Sequence, residues 1–270
     1  NVAGGGTQVI NGNGSWSDTT TVNGATTKLI LNGVNSGTSY TDLQNGPTLQ
    51  FGNTAAIAAG SRVNLNGAQT ATVIYATDGG DNAYAFGGNS NSTLNIVLDR
   101  ATAGTNVTHP MSTAGVGVAG FGGGTFTVNF TRGANVSGTA TASFDQFNLG
   151  GGSGGSTTAN PAVGTVVTIG SVTKSLNAAA QTLGLGGVTT GNAVTGIISN
   201  GVGTVSVVKS NTSSWTLSGN STYTGTTAVL GGTLYVHGNN SAATGAVSVA
   251  GGALGGNGQL GGAITVGTGG

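Results

Sequence analysis

The one acidic cluster in the sequence is a short loop in the first half of the chain. Asp78, Asp81 and Asn82 lie within five residues of one another and flank Gly79 and Gly80. Carboxylate and amide oxygens are ligands that Ca²⁺ prefers, so these three side chains are a weak calcium candidate. An ordinary Asp- and Gly-rich turn explains the same residues, and we favour it. We predict no metal and no cofactor.

Glycan cleavage is a second chemistry that carboxylates can perform. It needs two carboxyl groups about 5–10 Å apart on one face. All six acidic residues here are Asp. Asp78 and Asp81 are three residues apart, and Asp99 and Arg100 are adjacent, so each pair points to opposite faces of a strand. We therefore predict that the chain is not an enzyme.

Histidine and cysteine add little further chemistry. His109 and His237 are the only histidines, whereas a metal site needs several converging ligands. His109 precedes Pro110, which favours an extended or turn conformation. We predict that both histidines are surface or corner residues. Because the chain has no Cys, disulfide and thiolate chemistry are excluded.

Composition excludes some partners and favours others. Six basic residues balance the six acidic ones, and charged residues make up only 4% of the chain, so we expect no nucleic-acid partner. No segment approaches the roughly 20 apolar residues of a membrane span, so we expect no membrane insertion by this chain. A nearly uncharged surface favours association between copies. The start at Asn1 fits either a processed terminus or an arbitrary boundary.

Short β-branched or aromatic segments bounded by Gly or Asn recur along the chain and predict an all-β fold. These segments are 28–31, 48–51, 62–65, 72–75, 94–98, 125–130, 165–169 and 204–208. Two Ala-rich segments, Thr54–Ala59 and Ser175–Leu183, are the only candidates for a helical turn.

The end of the chain repeats. Apolar centres recur about 17 or 18 residues apart, as from Leu217 to Leu234, Val229 to Val247 and Val247 to Ile264, with Gly-Gly pairs between them. A repeat of this length predicts a solenoid, because one coil buries its apolar face only against its neighbours.

The segment WTLSGNSTYTGTT at 215–227 is followed by GGTL at 231–234 and VAGGALGGNGQLGG at 249–262. This pattern resembles the passenger-associated transport repeat of bacterial autotransporters and covers about residues 209–270 in one clear copy. The positions that carry the resemblance are Trp215, Leu217, Gly219, Asn220, Tyr223, Gly225, Gly232, Leu234, Gly251, Gly252 and Leu254. The resemblance implies a right-handed parallel β-helix on the bacterial surface and a structural role.

These observations predict three regions. Residues 1–149 hold ten of the twelve charges and form either a β-sandwich or irregular solenoid coils. Residues 150–161 are a Gly- and Ser-rich loop or linker, and residues 162–270 are a β-solenoid.

The leading functional expectation is an extracellular or bacterial cell-surface structural protein, a rod or fibre subunit that assembles end to end with its own copies. The alternative is an adhesin that binds a surface glycan through the charge-bearing first half. A β-helical glycan-processing enzyme is the third reading.

Overall fold

The computed structural model describes residues 1–67, 69–88, 91–112, 118–120, 124–150, 154–174 and 178–270, with the backbone alone at 118–120. The described residues form 26 strands and no helix, so none of them lies in a helix able to cross a membrane.

The first thirteen strands are β1 (Gly6–Ile10), β2 (Thr20–Asn23), β3 (Thr27–Leu31), β4 (Tyr40–Gln44), β5 (Thr48–Phe51), β6 (Arg62–Leu65), β7 (Thr70–Ala76), β8 (Ala85–Gly88), β9 (Ser92–Asp99), β10 (Val107–Ser112), β11 (Val118–Gly120), β12 (Gly124–Arg132) and β13 (Ala140–Asn148). The others are β14 (Gly155–Pro161), β15 (Thr165–Thr173), β16 (Gln181–Leu185), β17 (Asn192–Val194), β18 (Val205–Lys209), β19 (Ser214–Leu217), β20 (Thr227–Val229), β21 (Thr233–Val236), β22 (Asn239–Asn240), β23 (Val247–Val249), β24 (Ala253–Gly255), β25 (Gln259–Leu260) and β26 (Ile264–Val266).

Successive strands alternate between two long parallel sheets. The first sheet has twelve strands in the order β1-β3-β5-β7-β9-β12-β14-β16-β18-β20-β23-β26. The second has eleven in the order β2-β4-β6-β8-β11-β13-β15-β17-β19-β21-β24, with β10 also paired to β13. The chain is therefore a parallel β-solenoid, as predicted. Its first half consists of coils of the same two sheets, not of an antiparallel sandwich.

Alternating side chains build the core between the sheets. The residues of β9 alternate between buried and half-buried positions. The register aligns Leu49 with Val73, Val73 with Ile96 and Ile96 with Phe130, all fully buried. Each such side chain contributes about 1.5–3 kcal/mol by leaving water. The period of two in the sequence thus becomes a continuous inward stack.

The coils differ in length. Near the C-terminus, Thr227 pairs with Val247 after 20 residues. In the middle of the chain the side chain of Asn95 meets that of Asn129, 34 residues further on. The extra residues of this long coil include β10, whereas β11 takes the regular place in the second sheet between β8 and β13. The central coils therefore carry long connections outside the two-strand repeat.

The predicted C-terminal spacing is only partly correct. Val247 pairs with Ile264, as predicted. Leu217, however, pairs with Val236 instead of the predicted Leu234. Val229 likewise pairs with Val249 instead of the predicted Val247. Residues two apart face the same side of a strand, so the inward positions were correct and the register was wrong by two.

Local predictions had mixed outcomes. All eight predicted strand segments lie within or overlap strands. Thr54–Ala59 forms turns and bends instead of helix. Gln181–Leu185 is strand β16, which overlaps the second helix candidate, whereas residues 175–177 lie outside the described residues. The segment predicted as a loop at 150–161 contains strand β14, although 151–153 are also outside the description. The division into domains stays a prediction.

Candidate functional site

Two stacked loops form a wall beside the first sheet. The wall consists of residues 100–106, which follow β9, and residues 133–139, which follow β12. The Asn135 side-chain amide donates to the Arg100 carbonyl oxygen at 2.9 Å, and Gly104 N donates to Asn135 O at 2.9 Å. The wall thus continues, beyond the strands, the hydrogen bonding between one coil and the next.

Asp99 anchors the base of the wall. Its Oδ1 atom accepts hydrogen bonds from Arg100 N and Asn135 N, both at 2.9 Å. A Cβ at Gly133 would lie 2.1 Å from Asp99 Cγ, so only glycine leaves room for this carboxylate. A carboxylate bonded to two backbone N–H groups is held in place. It is therefore a structural anchor.

Arg100 is the other fixed charge of the wall. Its Nη2 atom lies 3.1 Å from Asp78 Oδ1, and its Nε and Nη1 atoms donate to the carbonyl oxygens of Thr102 and Asn106 at 3.0 and 2.7 Å. The backbone and side chain of Thr102 donate to Asp78 and lower its pKa, and Arg100 lowers it further. Asp78 therefore ties its own loop to the wall.

Behind the wall lies a buried acid–base pair. His109 Nδ1 is 2.6 Å from Asp81 Oδ2, and both side chains are fully buried. His109 Nε2 is 2.9 Å from the Asp99 carbonyl oxygen, and Thr77 Oγ1 donates to Asp81 Oδ1 at 2.5 Å. A carbonyl oxygen only accepts, so Nε2 must carry a hydrogen. The 2.6 Å contact between Nδ1 and Asp81 Oδ2 is then the second hydrogen bond of the ring.

Aromatic rings enclose this pair. The Tyr75 ring centroid lies 5.2 Å from that of His109 and 6.3 Å from that of Tyr84. Burial raises the pKa of both tyrosines. The Tyr75 hydroxyl is buried and has no hydrogen-bond partner among the described residues. A pair closed off in this way cannot exchange a proton with a bound substrate, which needs direct or one-water contact.

The two histidines therefore have different outcomes. His237 is exposed, stacks on Tyr235 at 6.2 Å and hydrogen-bonds Asn257, as predicted for a surface residue. His109 lies in strand β10, which confirms its extended conformation. The prediction of a surface or corner position for His109 is wrong. Its ring turns inward because Asp81, 28 residues earlier, supplies a buried partner.

The residues of the calcium candidate have separate partners. Asp78 contacts Arg100, Asp81 contacts His109, and the Asn82 amide donates to the Ile57 carbonyl oxygen at 3.1 Å. Within the described part of the chain, no three His, Cys, Asp or Glu residues are grouped to hold a metal. The loop thus connects neighbouring coils.

An open groove lies at the foot of the wall, on the outer face of the first sheet. Its floor is formed by Gln50, Ile74 and Val97, which the register places side by side on β5, β7 and β9. Lys28 on β3 and Arg132 at the end of β12 also line it. We call this surface the first-sheet groove. Its floor has aliphatic side chains outside the core, and its edge carries cations.

An asparagine ladder runs beside the groove. Asn95, Asn129 and Asn160 occupy equivalent positions on β9, β12 and β14. Each Nδ2 donates to the Oδ1 of the preceding residue at 2.9 Å. Asn211 extends the ladder through a 3.4 Å contact with Asn160. Asn129 and Asn160 both donate and accept, so the ladder adds order to coils of unequal length.

The repeat-motif residues have structural positions. The apolar members are buried or partly buried in the core and are Trp215, Leu217, Tyr223, Leu234 and Leu254. The glycines are places where an added Cβ would come within 3 Å of a neighbouring coil and are Gly219, Gly225, Gly232, Gly251 and Gly252. Asn220 Oδ1 accepts from Asn239 N at 2.8 Å.

A buried lysine closes one corner of the C-terminal coils. Lys209 is fully buried, and its Nζ atom donates to the carbonyl oxygens of Ser210, Asn211 and Gly231 at 2.6, 3.3 and 3.0 Å. Burial lowers its pKa to about 8. A charged group inside a core is stabilised only when its hydrogens are bonded, as they are here.

Comparisons with protein-family models, with curated proteins and with solved structures found no match for this chain. The autotransporter resemblance therefore stays a prediction.

Sequence reasoning missed both the first-sheet groove and the buried pair. Ile74 is next to the core residue Val73, and Val97 is next to the core residue Ile96. Adjacent residues of a strand face opposite sides, so two adjacent apolar residues in each strand indicated that one of them lies on the outer face. The Asp81–His109 contact left no local signal, because it joins two different coils.

Proposed function

We propose that this chain is an extracellular or cell-surface structural protein, a unit of a rod or fibre. The observation that carries the proposal is the continuity of both sheets through the described chain. Twelve strands spaced about 4.8 Å apart span roughly 50 Å. Each inner strand is bonded to a coil on both sides, so local opening breaks two ladders at once. Such a body is stiff and resists proteolysis.

The roles of the acidic residues in the central coils support a non-enzymatic function. Asp78, Asp81 and Asp99 each hold a neighbouring loop or strand through hydrogen bonds. The resemblance at residues 209–270 adds the location, since the proteins that share this repeat act at the bacterial surface.

The proposal also includes the assembly of copies of this chain through their outer strands. The outer strands of the first sheet, β1 and β26, each pair with one strand, and no described strand lies on their other side. Ile264 and Val266 of β26 are 54% and 63% exposed. Open edges with apolar side chains accept strands from another coil of matching geometry. We propose that a further copy of this chain supplies this additional strand.

Negative-stain electron microscopy of the full chain tests the proposal. We expect rods that lengthen with protein concentration. Val266→Lys places a charge on the open edge and should leave single short rods. Leu230→Lys is the matched control, because Leu230 is 55% exposed but lies away from that edge. Globular particles, or rods unaffected by V266K, would contradict the proposal.

A second candidate function is a glycan-binding surface module, which the first-sheet groove favours. Aliphatic side chains beside amides and cations suit a ligand with both C–H and O–H surfaces. A glycan array probed with the full chain tests this function, and binding to no glycan would contradict it.

A further inference from the structure

We infer that the first-sheet groove binds an anionic polysaccharide, one that carries carboxylate or sulfate groups. This inference rests on the second candidate function and gives it a site and a ligand class. It is independent of the rod proposal.

The shape of the groove suits an extended chain. Its lining runs from Lys28 on β3 to Arg132 on β12, across five neighbouring strands of the first sheet. At about 4.8 Å between strands, the groove is roughly 20 Å long. The wall closes one side and the sheet forms the floor. A linear polymer of several units can lie along the solenoid axis in this space.

The floor excludes an added peptide strand. Its strands are paired on both sides within the sheet, so the face presents side chains instead of free backbone groups. Peptides that bind as an extra strand need an unpaired edge. The floor instead offers the aliphatic side chains of Ile74 and Val97, flanked by the amide of Gln50. Aliphatic carbons pack on sugar C–H surfaces, and an amide both donates to and accepts from hydroxyls.

The charges of the groove select an anionic ligand. Among the described residues, neither Lys28 nor Arg132 has a carboxylate within ion-pair distance. Arg100 is neutralised by Asp78, and the Asp99 carboxylate is occupied by backbone N–H groups. Backbone N–H groups do not cancel the charge of Asp99, so three cations and two carboxylates leave the groove, with Asp78 included, a net charge of +1. The chain as a whole has a net charge of zero. A carboxylate or sulfate pairs well with the planar guanidinium of Arg132.

The wall holds this arrangement before a ligand arrives. Arg132 Nη1 donates to the carbonyl oxygens of Ser137 and Gly138 at 3.3 and 2.8 Å, so its position is set by the loop it borders. Side chains fixed in advance lose less entropy when a ligand binds. The groove therefore needs no large rearrangement to bind a polymer.

The test is isothermal titration of the full chain with polygalacturonate and with neutral dextran. We expect binding to polygalacturonate alone, weakening between about 50 and 500 mM salt because the pairs are at the surface. The double substitution Lys28→Ala with Arg132→Ala should weaken binding about tenfold, which is the effect of losing two exposed ion pairs. The matched control, Lys28→Arg with Arg132 unchanged, retains both charges and the Arg132 guanidinium and should bind within about threefold of the original chain.

A separate substitution probes the floor. Ile74→Thr with Val97→Thr keeps β-branched side chains on outward positions, so the fold should persist while binding weakens. Circular dichroism and a thermal melt of every variant verify the fold. Equal binding of dextran would overturn the choice of an anionic ligand and leave glycan binding intact. Binding to neither polymer, nor to any glycan on the array, would overturn both, and undiminished binding by the double alanine variant would overturn the location.

Discussion

The central and the C-terminal coils of this solenoid are stabilised in different ways. Coils of about 20 residues, as from Thr227 to Val247, connect their strands by Gly-rich corners and stack apolar side chains. The coil of 34 residues from Asn95 to Asn129 contributes residues 100–106 to the wall, two residues to the asparagine ladder and His109 to its buried contact with Asp81. The long connections bury a few apolar side chains in the core, namely Val107, Met111 and Val136, and are otherwise held by polar contacts.

The comparison of the central with the C-terminal coils shows where a chain with few charged residues places them. Four of the acidic and basic side chains, Asp78, Asp81, Asp99 and Arg100, are engaged in or near the long coil. In the C-terminal coils Lys209 donates to three carbonyl oxygens at one corner. Four experiments can break or sharpen this contrast.

The largest effect is expected at the buried pair. His109→Ala leaves the Asp81 carboxylate buried with Thr77 as its remaining partner. Removing one partner of a buried pair costs about 3–5 kcal/mol of unfolding free energy. Urea denaturation should show this loss for H109A and for D81A, and the double variant should lose less than their sum. Additive losses, or single losses below about 1 kcal/mol, would contradict a coupled pair.

The apolar stack of the regular coils is tested next. Leu234 is fully buried, so Leu234→Ala should cost about 2–5 kcal/mol through lost burial and a cavity. Leu230, four residues earlier and 55% exposed, is the control and should change stability by no more than about 0.5 kcal/mol when replaced by Ala. Similar losses of unfolding free energy at both positions would show that the apolar stack does not stabilise these coils.

Lys209 makes stability depend on pH. Its pKa is lowered from 10.5 to about 8 in the folded state, so the unfolded chain binds more protons between these values. Stability therefore rises as pH increases from about 8 towards 10.5, by at most about 3 kcal/mol. The difference between the original chain and Lys209→Met, measured by urea denaturation at pH 7.5 and about pH 10, should show this change. Lys28→Met, at a half-buried surface position, should leave the pH dependence intact.

The smallest effect is expected at the glycine corners. Gly252 has φ +85° and a Cβ there would lie 2.3 Å from Gly232 O, whereas Gly60 has φ +81° and open space around it. Gly60→Ala should cost about 1 kcal/mol from backbone strain alone. Gly252→Ala should cost about 1–2 kcal/mol more, because the neighbouring coil must move. Equal thermal shifts for the two variants would refute a role for close coil contact.

Much of the fold could be predicted from local patterns. Segments such as 94–98 and 125–130 alternate so clearly that their strands and inward faces follow from the period of two. Register was harder, because Leu234 and Val236 are both inward and either could pair with Leu217. The site was hardest: His109 and Asp81 are 28 residues apart, and no local pattern links them.

The sequence by itself determined the all-β class, the parallel stacking of the repeat and the lack of a strong electrostatic footprint, because these depend on composition and on periods of 2 and about 20 residues. Only the tertiary structure decided which coils are neighbours. The tertiary structure places Lys28 and Arg132 in the lining of one groove. It also buries His109 against Asp81 and pairs Asp78 with Arg100. Contacts between two neighbouring coils depend on the lengths of the turns between them, so a change of two residues in one corner would shift the register of those two coils.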